Sequence, residues 1–275
     1  MDKLYQFESA NTYKPKGIWI KEDNTDYYVK ADCKYNELEK ENAVHRLSGF
    51  FGLESVEYTR VKALYNGNTI NALKCKSFLS ENEKSISLSE LVYEDVYCKD
   101  WIDLFSTKNT SKYDRFIDTV AQKTLLDSEF IKEYLLKLTI FDSIICNTDR
   151  TLYNISFIEK DDKYRLSPLY DSGLSFMLLN GYTLNLSDLY TRRIHYESGT
   201  RFCNCHLKMM PIVYQKEAKE ILEQWSSIYN SIGKHWLQPV YRMIIDYRMH
   251  YLLTGERVFN LSQYIDRSLY EIHGI

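Results

Sequence analysis

The stretch that decides the fold runs from Phe141 to Gly173 and reads FDSIICNTDRTLYNISFIEKDDKYRLSPLYDSG. It contains Asp149, then Asn154 five residues later, then Asp171 seventeen residues after that. Each is next to a short apolar run, so the pattern predicts a loop between two small strands, with the three side chains in one cleft. Phosphoryl transfer uses this set of groups. One carboxylate accepts the proton of the substrate hydroxyl, while an amide oxygen and a second carboxylate hold Mg²⁺ on nucleotide phosphates.

The spacing between Asp149 and Asn154 is a weak signal when it is taken alone. Asp and Asn also form turns, and the same spacing arises often by chance. A long apolar helical pattern before Asp149 and a strand pair after Asn154 favour a catalytic loop. On the residues alone, turn formation and catalysis both remain open.

Composition excludes several classes of function. With 275 residues the chain can bury a large core, and its net charge of −3 lacks the basic surplus typical of nucleic-acid binding. No apolar run reaches the roughly 18 residues of a membrane span, and the N-terminus has no signal-peptide pattern. The six scattered cysteines are typical of reduced thiols. We therefore expect a cytoplasmic protein that binds neither membrane nor nucleic acid.

The first 80 residues have the pattern of strands around one helix. Turn residues between residues 17–21 and 26–31 predict a hairpin, and Asn66-Gly67 predicts a second one. Apolar residues at helical spacing predict a helix over about 36–51 that ends near Gly52.

The rest of the chain is mainly helical in pattern. Residues 79–100 are interpreted as a connector, and a helix capped by Asp127 or Ser128 runs to about Cys146. Further helices are expected over 214–253, with breaks near Gly233 and Pro239, and over 262–272, whereas 174–210 is irregular. The predicted fold is α+β and bilobal. A small β-rich N-lobe (residues 1–80) lies on a larger, mainly helical C-lobe (81–275).

Several segments together resemble the HipA-like serine/threonine kinases, bacterial toxin kinases whose fold is similar to that of protein kinases and phosphoinositide kinases. In the opening stretch these are Asn147-Thr-Asp-Arg150, Asn154-Ile-Ser-Phe157 and Leu166-Ser-Pro-Leu-Tyr-Asp171. In the N-terminal half they are Tyr27-Tyr-Val-Lys30, the helix from Glu41 to Leu53, and Ala72 to Phe78.

The resemblance implies a role for each matched residue. Asp149 is the catalytic base, Asn154 and Asp171 are Mg²⁺ ligands, and Lys30 binds ATP phosphates. Glu41 pairs with Lys30, although Glu37 or Glu39 takes this place if the register slips. The backbones of Lys76 and Phe78 bind adenine, and Lys16 lies in the phosphate loop.

The sequence also departs from the family pattern. Thr151 stands where many members have His, which affects loop packing or substrate contacts but removes neither the base nor the metal ligands. Asn11 and Thr12 replace the Ser and Gly of the phosphate loop. Autophosphorylation at that position therefore does not carry over, and Thr12 or Ser9 are substitutes.

The leading hypothesis is an ATP- and Mg²⁺-dependent serine/threonine protein kinase. The alternatives are a nucleotide-binding pseudokinase without turnover, or a lipid or small-molecule kinase of the same fold. The resemblance also implies a protein substrate in the translation machinery, such as an aminoacyl-tRNA synthetase, and an antitoxin partner.

Overall fold

The computed structural model describes residues 4–8, 17–32, 37–92, 110–147, 150–176 and 212–254. The predicted helix over 262–272, the phosphate-loop residues and most of the irregular segment 174–210 lie outside these ranges. None of the described helices combines the length and the apolar composition that a membrane span requires.

A five-stranded sheet forms the N-terminal part. Its spatial order is β1-β4-β5-β3-β2, with the strands β1 (Leu4–Gln6), β2 (Ile18–Glu22), β3 (Thr25–Ala31), β4 (Thr59–Tyr65) and β5 (Asn68–Lys76). Both predicted hairpins are confirmed. Asp23 and Asn24 turn between β2 and β3 with positive φ, as do Asn66 and Gly67 between β4 and β5. Two central residues with positive φ give the tight turn that matches the twist of the strands.

Helix α1 (Glu37–Phe50) connects the sheet to the helical part, and its predicted end near Gly52 is confirmed. Leu38 packs with sheet residues such as Leu73, whereas Leu47 belongs to the core formed by the helices. Because one helix contributes to both cores, it holds the sheet next to the helices.

The described part of the predicted connector, residues 79–92, contains regular structure that its sequence pattern does not predict. It contains a strand, β6 (Lys84–Ser87), and a short helix, α2 (Leu88–Val92). Strand β6 pairs with β7 (Ser156–Lys160), which pairs in turn with β8 (Lys163–Leu166). A strand of four residues is too short to show the alternation that identifies strands, and its partner lies some seventy residues further along.

The remaining described elements are helices: α3 (Thr110–Thr124), α4 (Ser128–Ile145), α5 (Ile212–Ser231) and α6 (Pro239–Thr254). Helix α4 contacts the other three and is buried along most of its length. The breaks predicted near Gly233 and Pro239 are confirmed, since α5 ends at Ser231 and α6 begins at Pro239.

Helix α4 ends at Ile145, within the opening stretch. The predicted cap is confirmed, since Asp127 accepts a hydrogen bond from the Phe130 amide, and Cys146 ends the helix in the left-handed region. The expected strand before Asp149 is therefore wrong, because its apolar run is the last turn of α4. The α+β class is confirmed, and the division at residue 80 stays a prediction.

Candidate active site

A buried lysine lies at the centre of the candidate site. Lys30 is only 6% exposed, and its Nζ is 2.9 Å from Glu41 Oε1 and 2.9 Å from Asp171 Oδ1. Lys30 lies on β3, Glu41 on α1 and Asp171 after β8. The cluster therefore joins three elements that are far apart in the sequence.

The register of α1 selects Glu41 from the three predicted candidates. Glu37 lies one turn earlier and its Oε2 is 3.9 Å from Lys30 Nζ, too far for a hydrogen bond. Glu39 accepts a hydrogen bond from Gln238, the residue directly before α6. Glu41 also accepts the backbone N–H of Ser172 at 3.1 Å through its second oxygen. Glu41 therefore hydrogen-bonds both the lysine and the segment after β8.

The carboxylates keep Lys30 positively charged. Burial lowers the pKa of Lys30, but Glu41, the Tyr58 hydroxyl and Asp171 more than offset it, so this pKa stands well above its usual value. The ammonium also lies 4.9 Å from the centre of the Tyr58 ring. A fixed cation at this position can neutralise an anionic ligand without depending on pH.

The cluster lies in the wall of a cavity of about 470 Å³, a size typical of small-molecule sites. Trp19 and Tyr28 line one part with ring centres 5.1 Å apart, and Phe78 and Tyr170 line another with stacked rings 5.8 Å apart. Aromatic walls beside a cation and carboxylates suit a ligand that has a flat ring and an anionic group.

The end of β5 presents backbone groups to this cavity. Ser77 donates its amide to Asp26 on β3. The backbone N–H and C=O groups of successive strand residues point to opposite sides, so those of Lys76 point away from β3 and toward the β4 side. Strand β4 begins at Thr59, which pairs with Lys74, so it does not extend as far as Lys76. The Phe78 carbonyl accepts a hydrogen bond from Arg165 at 3.2 Å. Lys76 and Phe78 both line the cavity.

The residues that could hold a cation are Asn154 and Asp171. Asp171 is 49% exposed at its side chain and lines the cavity, and Asn154 is half-buried at the end of a 3-10 turn. Among the residues that the structure describes, no group of three or more His, Cys, Asp or Glu could form an all-protein metal site. A single carboxylate and an amide, completed by ligand phosphates and water, fit Mg²⁺.

Two predicted residues, Asp149 and Lys16, lie outside the described residues. On either side of Asp149 in the sequence, Asn147 and Arg150 are buried, and both donate hydrogen bonds to Asp142. The sequence reasoning did not single out Arg150 or Asp142. Their signal was a pair of opposite charges next to apolar residues, eight positions apart.

Comparisons with known proteins identify the fold. No family model matches the sequence. The Helicobacter pylori proinflammatory kinase CtkA superposes with a TM-score of 0.58 over 97% of this chain and 100% of that chain, at 14% identity. The chain therefore has a kinase-like fold, and the predicted fold class is confirmed.

Two other similarities are weaker. HipA of Shewanella oneidensis MR-1, from a complex of the HipA–HipB toxin–antitoxin system with its operator DNA, gives a TM-score of 0.48 at 12% identity, over 90% of this chain and 64% of that chain. In sequence, the arginine–tRNA ligase of Mycoplasma mobile is 27% identical over 170 residues, 54% of this chain. The match spans 31% of that ligase, less than a third of its length.

Proposed function

We propose that the chain is an ATP- and Mg²⁺-dependent serine/threonine protein kinase. The observation that carries the proposal is the position of Lys30, 2.9 Å from both Glu41 and Asp171, in the wall of a 470 Å³ cavity. A kinase-like fold gives this cluster its natural interpretation, because phosphoryl transfer needs a fixed cation on the phosphates and a carboxylate for the metal.

The cavity would bind ATP with its base between the aromatic walls. The Lys76 carbonyl and the Phe78 amide would bond the edge of adenine, and Lys30 would neutralise phosphate oxygens while Glu41 fixes its ammonium. Mg²⁺, when bound, supplies positive charge to the phosphates. Asn154 and Asp171 would be its protein ligands.

The transfer step would rely on Asp149, which follows α4 in the sequence. Its carboxylate would orient the substrate hydroxyl and accept its proton as the oxygen bonds to the γ-phosphorus and the bond to ADP breaks. Lys16 is proposed as a further phosphate contact. Positioning and charge neutralisation would supply most of the rate increase.

The proposal includes a protein substrate. A translation protein as the target and an antitoxin as a partner come from the resemblance in sequence, and both stay predictions. Comparison of the phosphoproteome after expression of the wild type and of Asp149→Ala would identify the target.

The direct test is transfer of ³²P from [γ-³²P]ATP with Mg²⁺. We expect transfer by the wild type to a mixture of proteins and none by Asp149→Ala or Asp171→Ala, while both variants keep part of their nucleotide affinity. Undiminished transfer in both variants refutes the assignment. Nucleotide binding without transfer by the wild type supports the pseudokinase instead.

A further inference from the structure

A buried ion pair lies behind the candidate cation ligands. Arg150 and Asp142 both have fully buried side chains, and Arg150 Nε is 3.0 Å from Asp142 Oδ2. Arg150 Nη2 also donates to Asp142 Oδ1 at 3.3 Å. Removing two charges from water is costly, and such a pair often stabilises a fold no more than apolar residues would. The arrangement therefore requires a reason other than stability.

The other donors of Arg150 reach the two loops of the site. Nη1 donates to the backbone carbonyls of Asn154 and Tyr170, both at 3.1 Å, and Nη2 donates to Ser172 Oγ at 3.2 Å. Together with the bonds to Asp142, these contacts employ all the N–H donors of a guanidinium group. One rigid planar group thus joins the end of α4, the turn that ends at Asn154 and the segment around Asp171.

These acceptors surround the two candidate cation ligands. One carbonyl belongs to Asn154 itself, while Tyr170 and Ser172 are the neighbours of Asp171. Asp171 has φ of 54°, a left-handed conformation that is uncommon for residues other than glycine. Such a conformation persists where the surroundings over-determine it, and here Arg150 and Glu41 hold the chain on both sides of Asp171.

We propose that Arg150 is a positioning residue that fixes the separation of Asn154 and Asp171, so that both reach one divalent cation. The Asn154 and Tyr170 carbonyl oxygens each accept from Nη1 at 3.1 Å, so the two oxygens are separated by at most twice this distance. Lysine has the same charge, but its point-like ammonium cannot span these acceptors. The inference rests on the proposed function, because the cation is the one that kinase chemistry requires.

The test compares Arg150→Lys with Arg248→Lys. Arg248 is also buried, and its Nε donates to the Ser143 carbonyl at 2.7 Å, on the same helix as Asp142. Titration calorimetry would measure binding of a non-hydrolysable ATP analogue over a range of Mg²⁺ concentrations, alongside the melting temperature and kcat. For Arg150→Lys we expect the half-saturating Mg²⁺ concentration to rise by about tenfold or more, as found for residues that orient metal ligands.

The controls separate positioning from folding. Affinity for the analogue without Mg²⁺ should not change in Arg150→Lys, and Arg248→Lys should keep the wild-type Mg²⁺ dependence even where its melting temperature falls as much. Equal Mg²⁺ shifts in the two variants, or no shift in Arg150→Lys, overturn the proposal.

A milder variant covers the case in which Arg150→Lys does not fold. Ser172→Ala removes one acceptor and leaves the ion pair intact, so a smaller shift in the same direction is expected, and its absence counts against the proposal. If the wild type binds the analogue with Mg²⁺ but transfers no phosphate, the kinase assignment fails. The Mg²⁺ titrations then still decide the role of Arg150.

Discussion

Replacing Glu41 with glutamine tests the centre of the proposed site with little change in shape. One oxygen of Glu41 accepts from Lys30 Nζ at 2.9 Å, and the other accepts from the Ser172 N–H at 3.1 Å. Glutamine keeps one acceptor and directs an NH₂ group at the other donor. Because Glu41 is only 3% exposed, water cannot replace the lost bond.

The size of the effect follows from these two bonds. A hydrogen bond to a charged group contributes about 1.5–3 kcal/mol and a neutral one about 0.5–1.5 kcal/mol. Loss of one bond and weakening of the other amounts to about 2–4 kcal/mol. If the loss falls on the transition state, kcat/KM for ATP decreases by about 30-fold to 1,000-fold, since each 1.36 kcal/mol is a factor of ten.

Glu37→Gln is the matched control. Glu37 lies on the same helix, is also buried, and has its oxygen 3.9 Å from Lys30 Nζ. Because Glu37 is too far from Lys30 for a hydrogen bond to strengthen their attraction, we expect Glu37→Gln to lower kcat/KM by no more than about fivefold. Steady-state transfer from [γ-³²P]ATP measures both variants, with melting curves to correct for unfolded protein. Equal losses in the two variants, or full activity in Glu41→Gln, would refute the reasoning.

Two further predictions concern the cavity and the charge on α1. In Gly17→Ala the new Cβ lies 1.9 Å from the Tyr28 hydroxyl, so the ring must leave its place and affinity for an ATP analogue should fall several-fold by calorimetry. Gly49→Ala is the control, because a Cβ at Gly49 has no other atom within 4 Å. This variant should keep the wild-type affinity and gain up to about 1 kcal/mol of helix stability. Equal affinities in the two variants would contradict the role of Gly17. Burial lowers the pKa of Lys40 to about 8, whereas a lysine in the unfolded chain has a pKa of about 10.4. Between these two pH values unfolding takes up a proton, so the free energy of unfolding rises with pH in this range. Lys40→Met should remove this rise in urea titrations from pH 7 to about pH 10, and identical pH slopes in the two proteins would show that Lys40 is not the cause.

The parts of the fold that the sequence predicted are those with local causes. Asn66-Gly67 predicts its hairpin because few residues adopt two successive positive φ values. Asp127 predicts the start of α4 because an aspartate side chain can accept the backbone N–H of the residue three positions later, here Phe130. The pairing of Lys30 with Glu41 followed from the register of α1 in the resemblance.

The strands and the ion pair that the sequence did not predict depend on partners far away along the chain. Strand β1 has three residues and pairs in parallel with β4, and β6 has four and pairs with β7. Neither is long enough to show a period of two, so only the partner strand identifies it. Arg150 and Asp142 were missed for a related reason, because a charged residue becomes a buried donor or acceptor only when folding supplies its counterpart.

The opening stretch contains the two proposed cation ligands, Asn154 and Asp171, but it does not hold them in place by itself. A left-handed residue such as Asp171 costs of order 1–3 kcal/mol, and its contacts must compensate for that cost. Asp171 accepts a hydrogen bond from Lys30, 141 positions earlier in the chain. The amide of the next residue, Ser172, donates to Glu41, which lies 131 positions before Ser172. The geometry of Asp171 therefore depends on the packing of β3 and α1 against the helical part. A substitution that moves α1 should change the cation dependence of the site even when it touches none of the ligands.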